Sequence, residues 1–117
     1  VMPADQVICG IPFYTRVWTE KFGQSAITSE VLGMDGAKNY AKENQMTETW
    51  DASLGQNVAT AETSDARYTI WMEDEQSMEE KLKVIQSADL AGVAEWKLGF
   101  ERADVWSLIS EYIETNS

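Results

Sequence analysis

Five acidic side chains crowd one short stretch of this 117-residue sequence, Glu73-Asp74-Glu75 followed by Glu79-Glu80. Paired carboxylates can serve as general acid and base or hold a calcium ion. These, however, fall at the first turn of a predicted helix, where the helix dipole favours acids and Lys81 and Lys83 lie close by. A calcium loop would also need a Gly-containing pattern that is absent. The run therefore reads as a solvated helix start, with no metal ligand and no catalytic dyad. Tyr14 and Arg16 stand two apart in a segment predicted to be extended, so both face one way and offer a hydroxyl and a planar donor fork to a ligand or an acidic partner. Trp96 lies in a second apolar segment, where an indole face can stack on a ligand and exclude water, or can simply fill a core with the other four tryptophans. The sequence has no His and only Cys9, which excludes His-dependent triads, the common zinc sites and an internal disulfide.

The elements that must position these residues can be read from periodicity. Residues 6–18 begin as a nearly unbroken run of β-branched and aromatic side chains, predicting a strand of the parallel kind, buried on both faces. Pro12 removes a ladder donor, so the second half should leave the regular sheet and carry Tyr14, Arg16 and Trp18 past its end. An extended segment over 27–32 precedes a helix over 36–44 capped by Asp35. Segments 47–51, 57–62 and 67–73 form an antiparallel meander, with Tyr68, Ile70 and Met72 on one side and Thr69, Trp71 and Glu73 on the other. Met78, Leu82, Ile85 and Leu90 then recur at helical spacing behind the capping candidates Asp74 and Ser77, predicting a helix over 75–88 with Glu79 and Lys83 as an i,i+4 pair. Residues 91–98 form a second apolar strand, with Ala94 and Trp96 on one side and Glu95 on the other. Val105, Leu108, Ile109 and Tyr112 mark a last amphipathic helix. With the middle set aside, the order is strand, helix, strand, helix, the rhythm of a parallel α/β protein carrying an α+β insertion.

Nine Lys and Arg against twenty Asp and Glu leave a net charge of −11, without the positive field that a phosphate backbone or an anionic membrane requires. No nucleic-acid partner is expected. No stretch approaches the ~18 apolar residues needed to cross a bilayer, so no membrane insertion is expected either. At 44% hydrophobic residues the chain is too apolar for a disordered acidic tail.

The run Gly10-Ile11-Pro12-Phe13-Tyr14-Thr15-Arg16-Val17-Trp18 resembles the seventh strand of glycoside hydrolase family 18 barrels, the chitinase-like group that includes spore and cell-wall hydrolases. Trp71 to Lys81 is similar to the acidic opening of that family's seventh helix, and Gly92-Val93-Ala94-Glu95-Trp96-Lys97-Leu98-Gly99 to its eighth strand, whose Trp floors the cleaved-sugar subsite. Thr15 stands where the family usually has Gly, which narrows the backbone approach there. The resemblance implies an α/β fragment comprising the last two βα units of a TIM barrel, within 1–18 and 68–117, around a small α+β module at 19–67. A full barrel runs to ~250 residues. The family's catalytic motif, Asp-x-x-Asp-x-Asp-x-Glu on the fourth strand, occurs nowhere in this chain.

In function, the resemblance implies a C-terminal segment of a glycosidase acting on β-1,4-linked N-acetylglucosamine polymers, chitin or peptidoglycan, by substrate-assisted chemistry. Trp96, Tyr14, Arg16 and Trp18 are the implied substrate-binding residues, no residue is catalytic, and no cofactor is implied. Trp50 and Trp71 either wall the sugar groove or form the insertion's own core. The implied partners are the polysaccharide and the missing N-terminal barrel half, and the parent protein is expected outside the cell or in the cell wall. Alternatives are a non-catalytic lectin-like relative and a stand-alone interaction module. Alone, the chain is expected to self-associate through the unpaired strand edges and the inward faces of Ile8, Phe13, Val93 and Trp96.

Overall fold

The computed structural model describes residues 2–114, so residue 1 and residues 115–117 of the expected terminal units lie outside the described ones. Two strands, β1 (Ile8–Pro12) and β7 (Gly92–Trp96), pair in parallel with Ile8 opposite Gly92 and Pro12 opposite Trp96. Between them lie β2 (Tyr14–Lys21), β3 (Ile27–Gly33), α1 (Met34–Glu43), β4 (Thr47–Asp51), β5 (Gln56–Glu62), β6 (Ala66–Met72) and α2 (Glu75–Ser87); α3 (Ala103–Glu114) comes after β7. The middle strands form an antiparallel sheet in the order β3-β2-β6-β5-β4.

Two cores result. Ile11, Phe13, Met34, Met78, Leu82, Ile85, Val105 and Ile109 are buried together where α2 and α3 cover one face of the parallel pair, with Cys9 and Val93 packed against them. Val17, Ala37, Ala41, Ala59, Ile70 and Met72 fill the space between α1 and the inner face of the antiparallel sheet. Small residues on α1 let the helix lie close to the strands.

The expected strand buried on both faces is corrected by the structure. A single alternation runs through β1 and β2: Cys9, Ile11, Phe13, Thr15 and Val17 point into the two cores, while Ile8, Gly10, Arg16 and Trp18 are exposed on the other side and Tyr14 is half-buried there. Helices cover only one face of the parallel pair, so Phe13 and Val93 belong to the helix layer, and only Ile8 and Trp96 of the four expected inward residues lie on the open face. Residues 14–18 and 68–72 are strands of the five-stranded sheet, so β2 and β6 run across the limits expected for the insertion, 19 and 67. The change of sheet occurs at Phe13, one residue after Pro12 ends the parallel ladder.

Helix α1 begins at Met34, with Gly33 as its extended N-cap and no side-chain cap; Asp35, the expected cap, sits inside the first turn. Tertiary structure supplies the missing partner, because the Met34 N–H donates to the Phe100 carbonyl at 2.7 Å. A Cβ on Gly33 would come within 3.1 Å of the Phe100 backbone, so this junction needs glycine for close approach. At α2 the expected cap is present as a full box: the Asp74 carboxylate accepts from the Ser77 N–H at 2.9 Å, and the Ser77 hydroxyl accepts from the Asp74 N–H at 3.0 Å.

Candidate functional site

The open face of the parallel pair ends in Trp96, whose indole is 65% exposed at the C-terminal end of β7. Gly10, Pro12, Ala94 and Tyr14 surround it, forming with it the floor of a shallow hollow of about 460 Å³. Residues without bulk on β1 and β7 leave the indole face uncovered. The backbone here is held firmly: the Phe13 N–H donates to the Trp96 carbonyl at 2.7 Å, and the fully buried Phe13 ring meets Trp106 edge-on at 5.4 Å between centroids. Glu95 alternates away from the indole as expected and is half-buried.

Tyr14 carries the surface from this floor onto the antiparallel sheet. On that sheet's outer face, Arg16, Trp18 and Glu20 of β2 stand opposite Val31, Ser29 and Ile27 of β3. Trp18 also stands opposite Thr69 of β6, and Trp71, next to Val17's partner Ile70, lies on the same outer face. Trp18 is 40% exposed and Trp71 39%, and with Ile27, Thr69, Glu20 and Arg67 they line a second hollow of about 480 Å³. The four expected residues are thus brought onto one continuous side of the chain: Trp96 as a floor, Tyr14 at the corner, Arg16 and Trp18 on a wall.

Trp71 belongs to that wall, whereas Trp50 does not. Trp50 pairs with Asn57, which pairs with Met72, a residue of the inner core. The two tryptophans therefore lie on opposite faces of the meander, with Trp50 half-buried on the inner side and Trp71 exposed on the outer one. Thr15 narrows nothing at the surface. Its side chain is buried and its hydroxyl donates to the Trp71 carbonyl, tying β2 to β6 just where their ladder begins.

Charge on the wall is arranged unevenly. Arg67 is shared between Glu62 at 3.1 Å and Glu20 at 3.9 Å. The Arg16 guanidinium donates to the Ser29 hydroxyl at 2.7 Å and, among the described residues, has no carboxylate within ion-pair distance. Of the acidic run at α2, Glu75 and Glu80 are exposed as expected for a solvated helix start, whereas Glu73 is not. Glu73 is only 6% exposed; Lys81 Nζ donates to both its oxygens at 2.6 and 2.9 Å, Gln56 Nε2 donates at 2.8 Å and the Ser77 hydroxyl at 3.0 Å. This cluster pins β5 to α2. Spacing hid it, because Gln56 lies in a strand remote in sequence. Lys83 pairs with Glu80 at 3.2 Å in place of the expected Glu79, whose carboxylate accepts from the Tyr112 hydroxyl at 3.1 Å. Burial and that carboxylate push the Tyr112 hydroxyl above its ordinary range. Among the described residues no three acidic or sulfur ligands converge.

This arrangement, a parallel βα pair interrupted after its first strand by an antiparallel sheet with one helix, recurs in solved structures. Bacillus cereus spore cortex-lytic enzyme SleL superimposes with a TM-score of 0.83 at 20% identity, over 95% of this chain and 26% of that one. A chitinase from Chromobacterium violaceum gives 0.80 at 20% identity, over 95% of this chain and 34% of that one. The fold is that of the C-terminal portion of a family 18 glycoside hydrolase barrel. The resemblance read from the three motifs holds in the fold. No family model matches the chain. Among curated proteins, the cortical fragment-lytic enzyme of Bacillus subtilis is 24% identical over 94% of this chain. The chain spans 26% of that relative's length, so its family 18-like fold is a part of what the larger proteins contain.

Proposed function

We propose that this chain is the C-terminal segment of a family 18-like glycosidase acting on β-1,4-linked N-acetylglucosamine polymers, and that it supplies the floor and one wall of the saccharide groove. In this reading β1, α2, β7 and α3 are the last two βα units of the barrel, and residues 14–72 are the α+β insertion. The observation that carries it is the exposed Trp96 indole at the C-terminal end of a parallel strand, the end at which barrel enzymes build their sites. An indole laid open beside Tyr14 offers a flat apolar face to a pyranose and polar groups at its rim. Trp18 and Trp71 extend the same chemistry along the wall.

The acid that would protonate the glycosidic oxygen and the carboxylate that would orient the acetamido group have no counterpart in this sequence, so both belong to the N-terminal barrel half. The segment alone binds without turning over. The parent protein then works where its polymer lies, at the cell wall or outside the cell.

Titrating the 117-residue chain with a hexamer of N-acetylglucosamine, monitored by tryptophan fluorescence and by two-dimensional NMR, tests the reading. The expected result is saturable binding that perturbs the Trp96 indole and is lost in Trp96→Ala. Binding unaffected by that substitution, or shifts confined to α2 and α3, would overturn the placement of the groove. Hydrolysis by the chain alone would overturn the division of labour.

A further inference from the structure

Floor and wall are joined through the short run Phe13-Tyr14-Thr15. The Phe13 N–H donates to the Trp96 carbonyl at 2.7 Å, and two residues on the Thr15 hydroxyl donates to the Trp71 carbonyl. One tryptophan from each hollow is thus tied by its backbone to residues that stand roughly 7 Å apart in an extended chain. The two ties differ in kind. The first is a backbone bond that any residue but proline could make at position 13. The second depends on a side chain. Antiparallel pairing of β2 with β6 runs from Lys21 and Ala66 to Val17 and Ile70 and stops there. Trp71 lies one residue beyond, where β5 still pairs with it through Val58 but β2 does not. Thr15, 8% exposed and paired with Leu32 of β3, reaches across that gap from the inner side.

Resting on the proposed saccharide groove, we infer that Thr15 is a positioning residue: its hydroxyl sets the Trp71 indole at a fixed offset from Trp96, so that one saccharide chain meets floor and wall together. Thr15 itself touches no ligand. Its side chain is buried on the inner side while the indole it governs stands on the outer face, so it acts through the backbone of β6. The segment anchored by other means begins one residue after Trp71: Met72 lies in the inner core, and Glu73 is held by Gln56, Ser77 and Lys81. Without the Thr15 hydroxyl the Trp71 carbonyl has to find another donor, and the peptide plane that carries it turns, taking the indole along. An aromatic platform displaced by about 1 Å loses part of its contact with a ring already seated on the other platform.

The test uses the 117-residue chain and a hexamer of N-acetylglucosamine, with affinity read by calorimetry and the indole N–H signals of Trp71 and Trp96 followed by NMR. Thr15→Val keeps the shape of the side chain and removes the hydroxyl, whereas Thr15→Ser keeps the hydroxyl. Thr15→Val should move the Trp71 signal, leave that of Trp96 in place and weaken hexamer binding about fivefold. Thr15→Ser should return signal and affinity toward the parent. In a Trp71→Ala background Thr15→Val should cost no further affinity, since no indole remains to be placed. Thr15→Ala, which lets water reach the carbonyl, gives the same comparisons if Thr15→Val does not fold. A Trp71 signal unmoved by loss of the hydroxyl would overturn the inference whether or not the hexamer binds. So would a hydroxyl-free variant that is less stable toward urea yet binds as tightly as the parent, or one that loses equal affinity with and without the Trp71 indole. Failure of the parent chain to bind the hexamer would remove the groove, and the inference with it, a result read before any variant is made.

Discussion

The Glu73–Lys81 pair should show a marked asymmetry between losing one partner and losing both. Fully buried pairs lose about 3–5 kcal/mol when one charge is stranded, whereas exposed pairs are worth about 0–1 kcal/mol. This pair lies between: the Glu73 side chain is 6% exposed, the Lys81 side chain 31%. Lys81→Met keeps the aliphatic stem and removes only the ammonium, leaving Gln56 and Ser77 to donate to the carboxylate. The expected loss is about 2 kcal/mol, a sizeable part of the 5–15 kcal/mol that holds a domain of this size, and about 8 °C in melting temperature. Glu73→Gln strands an ammonium that can turn to water, and should cost about 1 kcal/mol. The double variant should lose less than the sum, with a coupling of about 1 kcal/mol. Urea denaturation monitored by tryptophan fluorescence reads all four proteins. Lys81→Met within about 0.5 kcal/mol of the parent, or strictly additive substitutions, would show that the carboxylate is not held by the pair.

Phe13→Ala, at the point where the chain passes from one sheet to the other, should cost about 3–5 kcal/mol because the ring is fully buried and packed edge-on against Trp106; a loss under about 1 kcal/mol by urea titration would contradict that packing. The Asp51 carboxyl, held below its ordinary range by the Ser53 hydroxyl and then by the Leu54 and Ser53 N–H groups, stabilises the β4–β5 turn above the unfolded-state value and loses that effect as pH falls through its folded value. Asp51→Asn should therefore differ from the parent at neutral pH and converge with it once pH has fallen below the lowered folded-state value, checked by denaturation from neutral to acid pH. We also expect the isolated chain to form a two-fold dimer through the open face around Ile8 and Trp96 and the free edges of β1 and β7; sedimentation at micromolar concentration giving a 13.2 kDa species would refute it.

Local signals in the sequence carried the elements well where capping and periodicity agreed. Asp74, Ser77 and the Met78, Leu82, Ile85 stripe define α2 by themselves, and β4 runs over the expected 47–51. What eluded sequence reasoning was decided by partners distant along the chain. Asp35 looked like a cap because nothing nearby announces that the Phe100 carbonyl will take the Met34 N–H. The Glu73 cluster looked solvated because Gln56 arrives from another strand. The change of sheet at Phe13 was invisible because the inside-outside alternation does not break there: one period-2 pattern serves both sheets while the strands beside it change. The site fared differently. Tyr14, Arg16 and Trp18 share a side because alternation alone requires it, but their junction with Trp96 depends on the parallel pairing of Pro12 with Trp96, which only the fold supplies.

β2 and β6 are neighbours, with Val17 beside Ile70, although roughly 50 residues separate them. The chain therefore leaves and re-enters the β1–α2 connection at adjacent backbone positions. For the pairing of β1 with β7 this is a shortcut: once the antiparallel sheet exists, the effective loop between the two strands falls from about 80 residues to about 27, and the entropy of closing it drops by about 1 kcal/mol. The insertion thus shortens the path it interrupts. Its far end, at residues 22–26 between β2 and β3, lies outside that path, so segments can be lengthened or exchanged there to reshape the wall without stretching the connection on which the floor depends.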